Sequence, residues 1–375
     1  MPKDFRTNVE FSNNVTVTGN INAAKYQSSA PASPLIGQIW VDSSTDIATF
    51  DGTVQTGNRN KIINGTFEIW QRGTSFSAVG YTADRWNIQT ASGQTVSCTQ
   101  QSFTPGNPIT GYEPTYFLRT TWSGTPSGTF WLNQKIEDVR TFAGKAVTLS
   151  FWAKAGSNTS AFTPVIEQNF GTGGSSVVTT NGTAISLTTS WQRFTQIFNI
   201  PSISGKTIGT NSFLDIRPFN GSTSVAGNAI DIWGIQLEAG SSTTPLEIRP
   251  IGQELSLCQR YYYRTVMSNG NTTSFGNGHV QSSTNVRIMI ATPVSLRTAG
   301  TATLPSVTTS TIGNFTVAGG GSSGTNQPCT GATIVCSTLS SGQVIDFSVA
   351  TTVGTGPAVL YNGTSGSFIG IDAEI

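Results

Sequence analysis

The sequence predicts an all-β protein: an antiparallel β-sandwich, a smaller C-terminal β-sandwich joined to it by a short helix, and a thin N-terminal β segment. Three observations predict it. Short β-branched and aromatic runs recur along the chain between Gly, Ser, Asn and Pro turns, the spacing of antiparallel strands. Only 10% of the residues are charged while 41 are glycine, so neutral hydroxyls and amides must supply the wet face of each sheet. Between Ile230 and Arg264 a β-favouring run meets a Gly-Ser-Ser-Thr-Thr-Pro break and then a helical pattern, which marks a seam between two β regions.

A chain of 375 residues suits two or three domains. The divisions fall at 1–57, 58–250, a linker helix at 251–265, and 266–375. A net charge of +1 leaves no broad basic surface for nucleic acid or an acidic membrane. No apolar run approaches the roughly 20 residues that span a bilayer. MPKDFRTNVEF at the N-terminus lacks the apolar centre of a signal peptide, so general secretory export through it is not expected. Cys98, Cys258, Cys329 and Cys336 are too few and too scattered for a disulfide framework. Cys329 and Cys336 could bridge a hairpin, but free thiols are the expected state.

In residues 1–57, Val15, Val17 and Ile21 alternate with Thr16, Thr18 and Asn20, the period of a half-buried strand. Ile39, Val41, Ile47 and Thr49 flank a Ser-Ser-Thr-Asp turn and predict a hairpin. The connecting SSAPASP reads as an extended linker. So few core residues point either to ordering by other subunits or an assembly, or to a disordered tail.

Six of the eight tryptophans lie from Trp70 to Trp191, and Trp233 follows in the closing strand. The strand candidates are KIINGTFEIW, RWNIQT, YFLRTT, FWLNQKIE, AVTLSFWAK, TPVIEQNF, WQRFTQIFNI, SFLDIRPF and AIDIWGIQLE, a series that indicates an antiparallel sandwich. From Gln253 to Arg264, Leu255, Cys258 and Tyr262 share one stripe, as in a short amphipathic helix packed between the domains. Cys258 on that stripe reads as a small core residue. Beyond it, HVQSSTN, VRIMIATPV, TATLPSV, GNFTVAGG, GATIVCST, QVIDFSVA, PAVLYNG and SFIGIDAEI read as seven or eight further strands.

Asn-Gly-Thr-Phe-Glu at 64–68, Asp-Arg-Trp at 84–86, VTLSFWAK at 147–154, Trp191 to Phe194 and the closing IDIWGIQLE, taken in order, resemble the jelly-roll carbohydrate-binding modules of the family 4 and 9 type. With Ser241 to Pro245 and ELSLCQRYYYR after them, the arrangement is similar to bacteriophage tail-fibre and virion adhesion proteins. The resemblance implies a virion-attachment and oligomerisation segment at 1–57, a glycan-binding module, a tip domain at 266–375 and a homotrimer. Partners would be other tail or capsid proteins and a bacterial surface glycan, on the surface of a particle assembled in the host cytoplasm. It also implies a structural calcium near Glu68 and Asp231, where solvated or paired carboxylates are the alternative because a hard cation needs six or more oxygens. No other cofactor is expected.

Strand parity indicates where a glycan would lie. Val147, Leu149, Phe151 and Ala153 form one face of their strand, leaving Trp152 out of phase with the core. Arg193, Asp215, Arg217 and Trp131 likewise fall on mixed or polar faces. Sugars present C–H patches beside hydroxyl pairs, so an aromatic platform with a planar guanidinium and a carboxylate suits them. Trp152, Arg193, Asp215, Arg217 and Trp131 are therefore the glycan-binding candidates, provided their faces join in one sheet. The alternative is that Trp152 packs under a loop and Arg217 only pairs with Asp215.

No catalytic residue is expected. The chain has one histidine, His279, without a nucleophile-elbow sequence around it. AGGGSSG at 318–324 lacks the Lys-Ser/Thr of a phosphate loop. A glycan depolymerase needs only two carboxylates, so Glu137, Asp138, Asp215 and Asp231 keep that alternative open. A structural head fibre with no receptor role is the third reading.

Overall fold

The computed structural model describes residues 25–27, 39–42, 47–50, 59–91, 95–106, 109, 111–123, 129–156, 161–221, 229–266, 274–297, 306–309, 315–319, 327–336, 342–349, 357–362 and 368–375. The chain separates into two compact units, Met1–Gly57 and Asn58–Ile375. In the first, β1 (Lys25–Gln27), β2 (Ile39–Asp42) and β3 (Ile47–Phe50) form one sheet. The β2–β3 pair is the hairpin that the alternation predicts, with Val41 opposite Ala48. The strand expected at 15–21 and the SSAPASP linker lie outside the described residues.

The second unit begins with β4 (Ser75–Phe76), β5 (Gly80–Tyr81), β6 (Asn87–Thr90), β7 (Thr95–Ser102), β8 (Tyr116–Ser123), β9 (Phe130–Glu137), β10 (Ala146–Ala155), β11 (Ala161–Phe162), β12 (Val165–Asn169), β13 (Val178–Asn181), β14 (Ile185–Ser186), β15 (Gln192–Asn199), β16 (Phe213–Gly221) and β17 (Ala229–Ala239). Two antiparallel six-stranded sheets result, β15-β10-β17-β8-β7-β4 and β13-β12-β16-β9-β6-β5. They face each other across one core, which makes this the expected jelly-roll sandwich. The inward set of β10, Val147, Leu149, Phe151 and Ala153, meets Leu132 of β9 and Leu214, Ile216 and Phe219 of β16 in that core. Each fully buried Val, Leu, Ile or Phe side chain among these contributes about 1.5–3 kcal/mol.

Two strand expectations differ from the structure. Residues 61–70 form a tight irregular loop, because Asn64 and Phe67 take left-handed φ angles of 56° and 58°. The Asn64 side chain replaces the missing ladder: its Nδ2 donates to the Ile69 carbonyl at 2.8 Å, and its Oδ1 accepts the Ile69 amide at 3.0 Å. Gly65 lies so close to the Ile235 carbonyl that a Cβ there would come within 2.2 Å of its oxygen. Conversely, β7, TVSCTQQS, is a strand that its polar composition conceals. Register against β8 along its whole length supplies the order.

The helix α1 (Ile251–Gln259) ends earlier than the stripe predicts, and Tyr262 opens the strand β18 (Tyr262–Val266). On α1 the buried residues are Glu254 and Cys258. After it come β19 (Ser274–Ser282), β20 (Asn285–Ala291), β21 (Ser306–Thr309), β22 (Phe315–Gly319), β23 (Gln327–Cys336), β24 (Gly342–Val349), β25 (Pro357–Asn362) and β26 (Phe368–Asp372). The expected C-terminal sandwich takes the form of a closed six-stranded ring, β19-β20-β24-β23-β22-β25, beside a three-stranded sheet β18-β26-β21. Closure leaves no free strand edge in that ring. Its core gathers Ile288, Ile345, Phe347 and Leu360 with Ile369 and Ile371 of β26.

β26 and the residues after it are tied to the sandwich. The Arg85 guanidinium, 1% exposed, pairs with Glu374 and lies 3.4 Å from the Tyr261 ring centroid. Arg72 pairs with Asp372 at 2.9 Å and covers the Tyr262 ring. Burial pushes the Arg85 pKa below its usual value. Cys98, Cys258 and Cys329 are buried free thiols. Burial raises Cys258 well above the usual thiol range and Cys98 and Cys329 to about 12, which suits packing rather than nucleophilic roles. Among the described residues no helix is long and apolar enough to cross a membrane.

Candidate functional site

The outer face of the first sheet carries an aromatic cluster that the sandwich core does not need. On β10 the core set points inward, so Trp152 points out, as parity predicts. On β17 Ile230 and Ile232 point inward, and then the phase breaks, with Ile235 and Leu237 inward and Trp233 outward. The break is a bulge opposite Phe151. Ser150 pairs with Gln236 and Trp152 with Trp233, so Gly234 and Ile235 together oppose Phe151 and β17 carries one extra residue. Gly234 makes it possible, with φ 65° and a Cβ position only 2.7 Å from Trp152 Cε3. Trp152 and Trp233 consequently stand together outside the sheet, their ring centroids 5.4 Å apart.

Four more rings complete the cluster. Tyr112 lies 5.4 Å from Trp152, Phe103 lies 5.2 Å from Trp191, and Phe117 lies 5.4 Å from Trp191. Between them opens a pocket of about 600 Å³, lined by Ile109, Gly111, Tyr112, Trp152, Trp191, Arg193 and Pro245. Trp152 is 6% exposed and forms the floor. Trp191 and Tyr112, both half-buried, supply the accessible ring area.

Arg193 faces Trp152 across the β10–β15 pair. Its guanidinium lies 4.6 Å from the Trp152 ring centroid, and its Nη2 donates to the Thr244 carbonyl at 2.7 Å and to Ser150 Oγ at 3.3 Å. Lys154 Nζ lies 5.4 Å from the Trp191 ring. An aromatic cleft with cationic donors at its edge can take C–H patches on the rings and oxygens on the guanidinium.

Trp131, Asp215 and Arg217 are on the other sheet, so the five candidate residues do not form one site. β9 and β16 belong to the second sheet and β10 and β15 to the first. Their outer faces lie on opposite sides of the core. On the second face Arg217 binds Asp215 at 2.7 Å through Nε and Glu167 at 3.0 Å through Nη2. Asp215 also accepts from Asn133 Nδ2 at 2.6 Å, and the Arg217 guanidinium covers Trp131 at 5.3 Å. Asp215 is 2% exposed. This is a self-satisfied ionic network, in which each charge already has its partner.

The calcium expectation does not fit the residues present. Both oxygens of Asp231 accept from Arg119, at 2.6 and 2.7 Å, and Lys154 Nζ is 3.7 Å away. A carboxylate so paired has no charge left for a hard cation. Glu68 lies in the irregular 61–70 loop and lines a different cavity. Among the described residues no group of three His, Cys, Asp or Glu side chains could hold a metal ion. His279, exposed, has Nε2 2.5 Å from the Gln281 amide nitrogen.

No protein-family model matches the chain, and no curated protein does. Solved structures are similar over about half of it. A domain of bacteriophage CBA120 tailspike protein 4, described as enzymatically active, shares 15% identity over 48% of this chain and 22% of its own, with a TM-score of 0.32. A structure of carbohydrate-binding modules from the β-sandwich superfamily shares 15% identity over 44% of this chain and 63% of its own, with a TM-score of 0.31. The CBM22-1 xylan-binding domain of Paenibacillus barcinonensis Xyn10C shares 13% identity over 50% of this chain and all of its own, with a TM-score of 0.30. At these scores the similarity carries no argument about what this chain binds. The functional reading therefore rests on the site itself.

Sequence reasoning finds Trp152 and Arg193 but not Tyr112 or Trp191. Trp191 opens the WQRF run just before β15, so a tryptophan preceding an arginine on an outward position was the available signal. Tyr112 had none. It reaches the pocket from the segment between β7 and β8, where no periodicity exists to read.

Proposed function

We propose that this chain is a bacteriophage virion fibre protein that recognises a glycan on the host-cell surface, with the Trp152–Trp191–Tyr112–Arg193 pocket as its binding site. The observation that carries the reading is this outward aromatic cleft with an exposed guanidinium at its rim. A sandwich needs rings in its core, and here a second set is assembled outside it by a bulge that places two tryptophans side by side. The low charge and hydroxyl-rich composition of the chain are in keeping with a particle-surface protein. In this reading residues 1–57 attach the chain to other virion proteins and help hold a homotrimer. Trimeric display raises the avidity of shallow individual sites without adding any contact.

Screening the full chain on a microarray of bacterial surface glycans tests the reading. Binding to a defined glycan is expected, and Trp191→Ala is expected to weaken it about 30-fold, the loss of about 2 kcal/mol typical of a central aromatic anchor. Arg193→Ala should also weaken it. Arg217→Ala, on the opposite sheet, should leave it within about threefold, since it touches no part of the pocket. An array on which no glycan is retained, or binding indifferent to Trp191→Ala, would overturn the assignment.

A further inference from the structure

A second cavity, of about 360 Å³, shares the Tyr112 wall of the aromatic pocket. Its charged lining is Glu68, Glu113, Glu247, Glu254 and Arg249, with Trp233 in its wall. Arg249 is already engaged by Glu254 at 3.0 Å and by Glu247 at 3.7 Å. Glu247 also accepts the Arg59 and Asn60 amides at 2.9 and 3.0 Å. Glu113 accepts the Gly106 amide at 2.7 Å. Among the described residues no ion pair reaches Glu68 or Glu113, so the cavity holds an excess of negative charge. Burial raises the Glu68 carboxyl above its usual range, opposed only by the Thr115 amide.

A separate observation points to a ligand. Trp233 is 1% exposed, and its indole Nε1–H has no hydrogen-bond partner. Buried indole donors are nearly always bonded. The missing partner must be an acceptor, which a simple cation is not. The two requirements, positive charge for Glu68 and a neighbouring lone pair for Trp233, are met together by an amine with a hydroxyl beside it.

We propose that this cavity binds the ammonium group of an amino sugar, with the amine on Glu68 and an adjacent hydroxyl oxygen accepting from Trp233 Nε1–H. Leu246, Ile248 and Ile251 face the C–H surface of the ring. A neutral sugar leaves the Glu68 charge without a counter-ion, and an N-acetylated one removes the positive charge while adding bulk. The ammonium and the acceptor follow from the cavity alone; that the frame carrying them is a sugar rests on the glycan-binding reading above.

The test is a titration of the full chain with glucosamine, N-acetylglucosamine and glucose, followed through indole N–H resonances in 15N-correlated spectra. The Trp233 signal is assigned as the one missing in Trp233→Phe. Glucosamine should move it, and both other sugars should bind at least about tenfold more weakly, the effect of one charge-assisted hydrogen bond. Glu68→Gln should abolish the preference for the free amine. A stationary Trp233 resonance, or equal affinity of the unmodified chain for the three sugars, overturns the proposal, and the comparison of the three sugars needs no variant to fold. Arg217→Ala, on the opposite sheet and outside this cavity, should leave the glucosamine response intact. An empty glycan array therefore sinks the fibre reading, whereas an unresponsive Trp233 sinks this one.

Discussion

Replacing Gly234 by alanine tests whether the β17 bulge is what builds the aromatic pocket. Gly234 has φ +65°, and an added Cβ would stand 2.7 Å from Trp152 Cε3, 3.0 Å from Cζ3 and 3.2 Å from a Leu246 methyl. The left-handed backbone costs an alanine roughly 1–2 kcal/mol. The collision falls on a ring held by Trp233 and Tyr112, so relief requires Trp152 to shift, at about 1–3 kcal/mol for an overpacked site. Together these predict a loss of about 2–5 kcal/mol. Gly205→Ala separates the two contributions, because Gly205 has φ +73° but a Cβ there meets nothing within 4 Å. Urea unfolding of the two variants, followed by tryptophan fluorescence, should show Gly234→Ala the less stable by the collision alone. Glycan binding should fall in that variant and survive in Gly205→Ala. If the two variants differ by less than about 0.5 kcal/mol, the scatter of ordinary surface substitutions, the bulge does not position Trp152 and the reasoning fails.

The remaining expectations concern the scaffold. Glu374→Gln should cost about 3 kcal/mol, because the buried Arg85 loses its charged partner. Arg85→Met with Glu374→Leu should cost less than the sum of the single changes, and strict additivity in a urea double-mutant cycle would refute a coupled pair. Burial holds the Glu68 carboxyl above its ordinary 4.5, so the native state keeps this proton to higher pH than the unfolded chain does. The resulting stability is present at low pH and is lost as the pH rises from the unfolded value through the folded one. Glu68→Gln should thus raise the melting temperature more at about pH 7 than at about pH 4, and the opposite trend would contradict the burial argument. Cys98 and Cys258, both fully buried, should resist alkylation in the native protein and react once urea unfolds it; mass mapping of modified peptides decides this.

What was legible in the sequence is whatever depends on period two. Val147, Leu149, Phe151 and Ala153 declare the inner face of β10, and the same parity turns Trp152 outward. Chain neighbours enforce that alternation through the pleat, so no tertiary information is required. The hairpin at residues 39–50 and the all-β class are legible for the same reason. The 61–70 loop was not, because KIINGTFEIW has strand composition while Asn64 and Phe67 take left-handed backbone angles, and a side-chain carboxamide supplies the hydrogen bonds. The helix stripe ran on through Tyr262 because periodicity does not register pairing with β26, which takes that residue into a sheet.

By itself, then, the sequence determined the β architecture, the low charge and which way each regular strand turns its side chains. Only the tertiary structure decided which outward faces meet. It placed Trp152 with Arg193 on one sheet and Trp131 with Asp215 and Arg217 on the other, and it brought Tyr112 and Trp191 to the first group. It also took Asp231 out of consideration for calcium by giving both its oxygens to Arg119. The physical reason is that parity is a property of neighbouring residues along one strand, whereas a site is a property of sheet order and connecting segments. Those are set by packing between residues far apart in the chain.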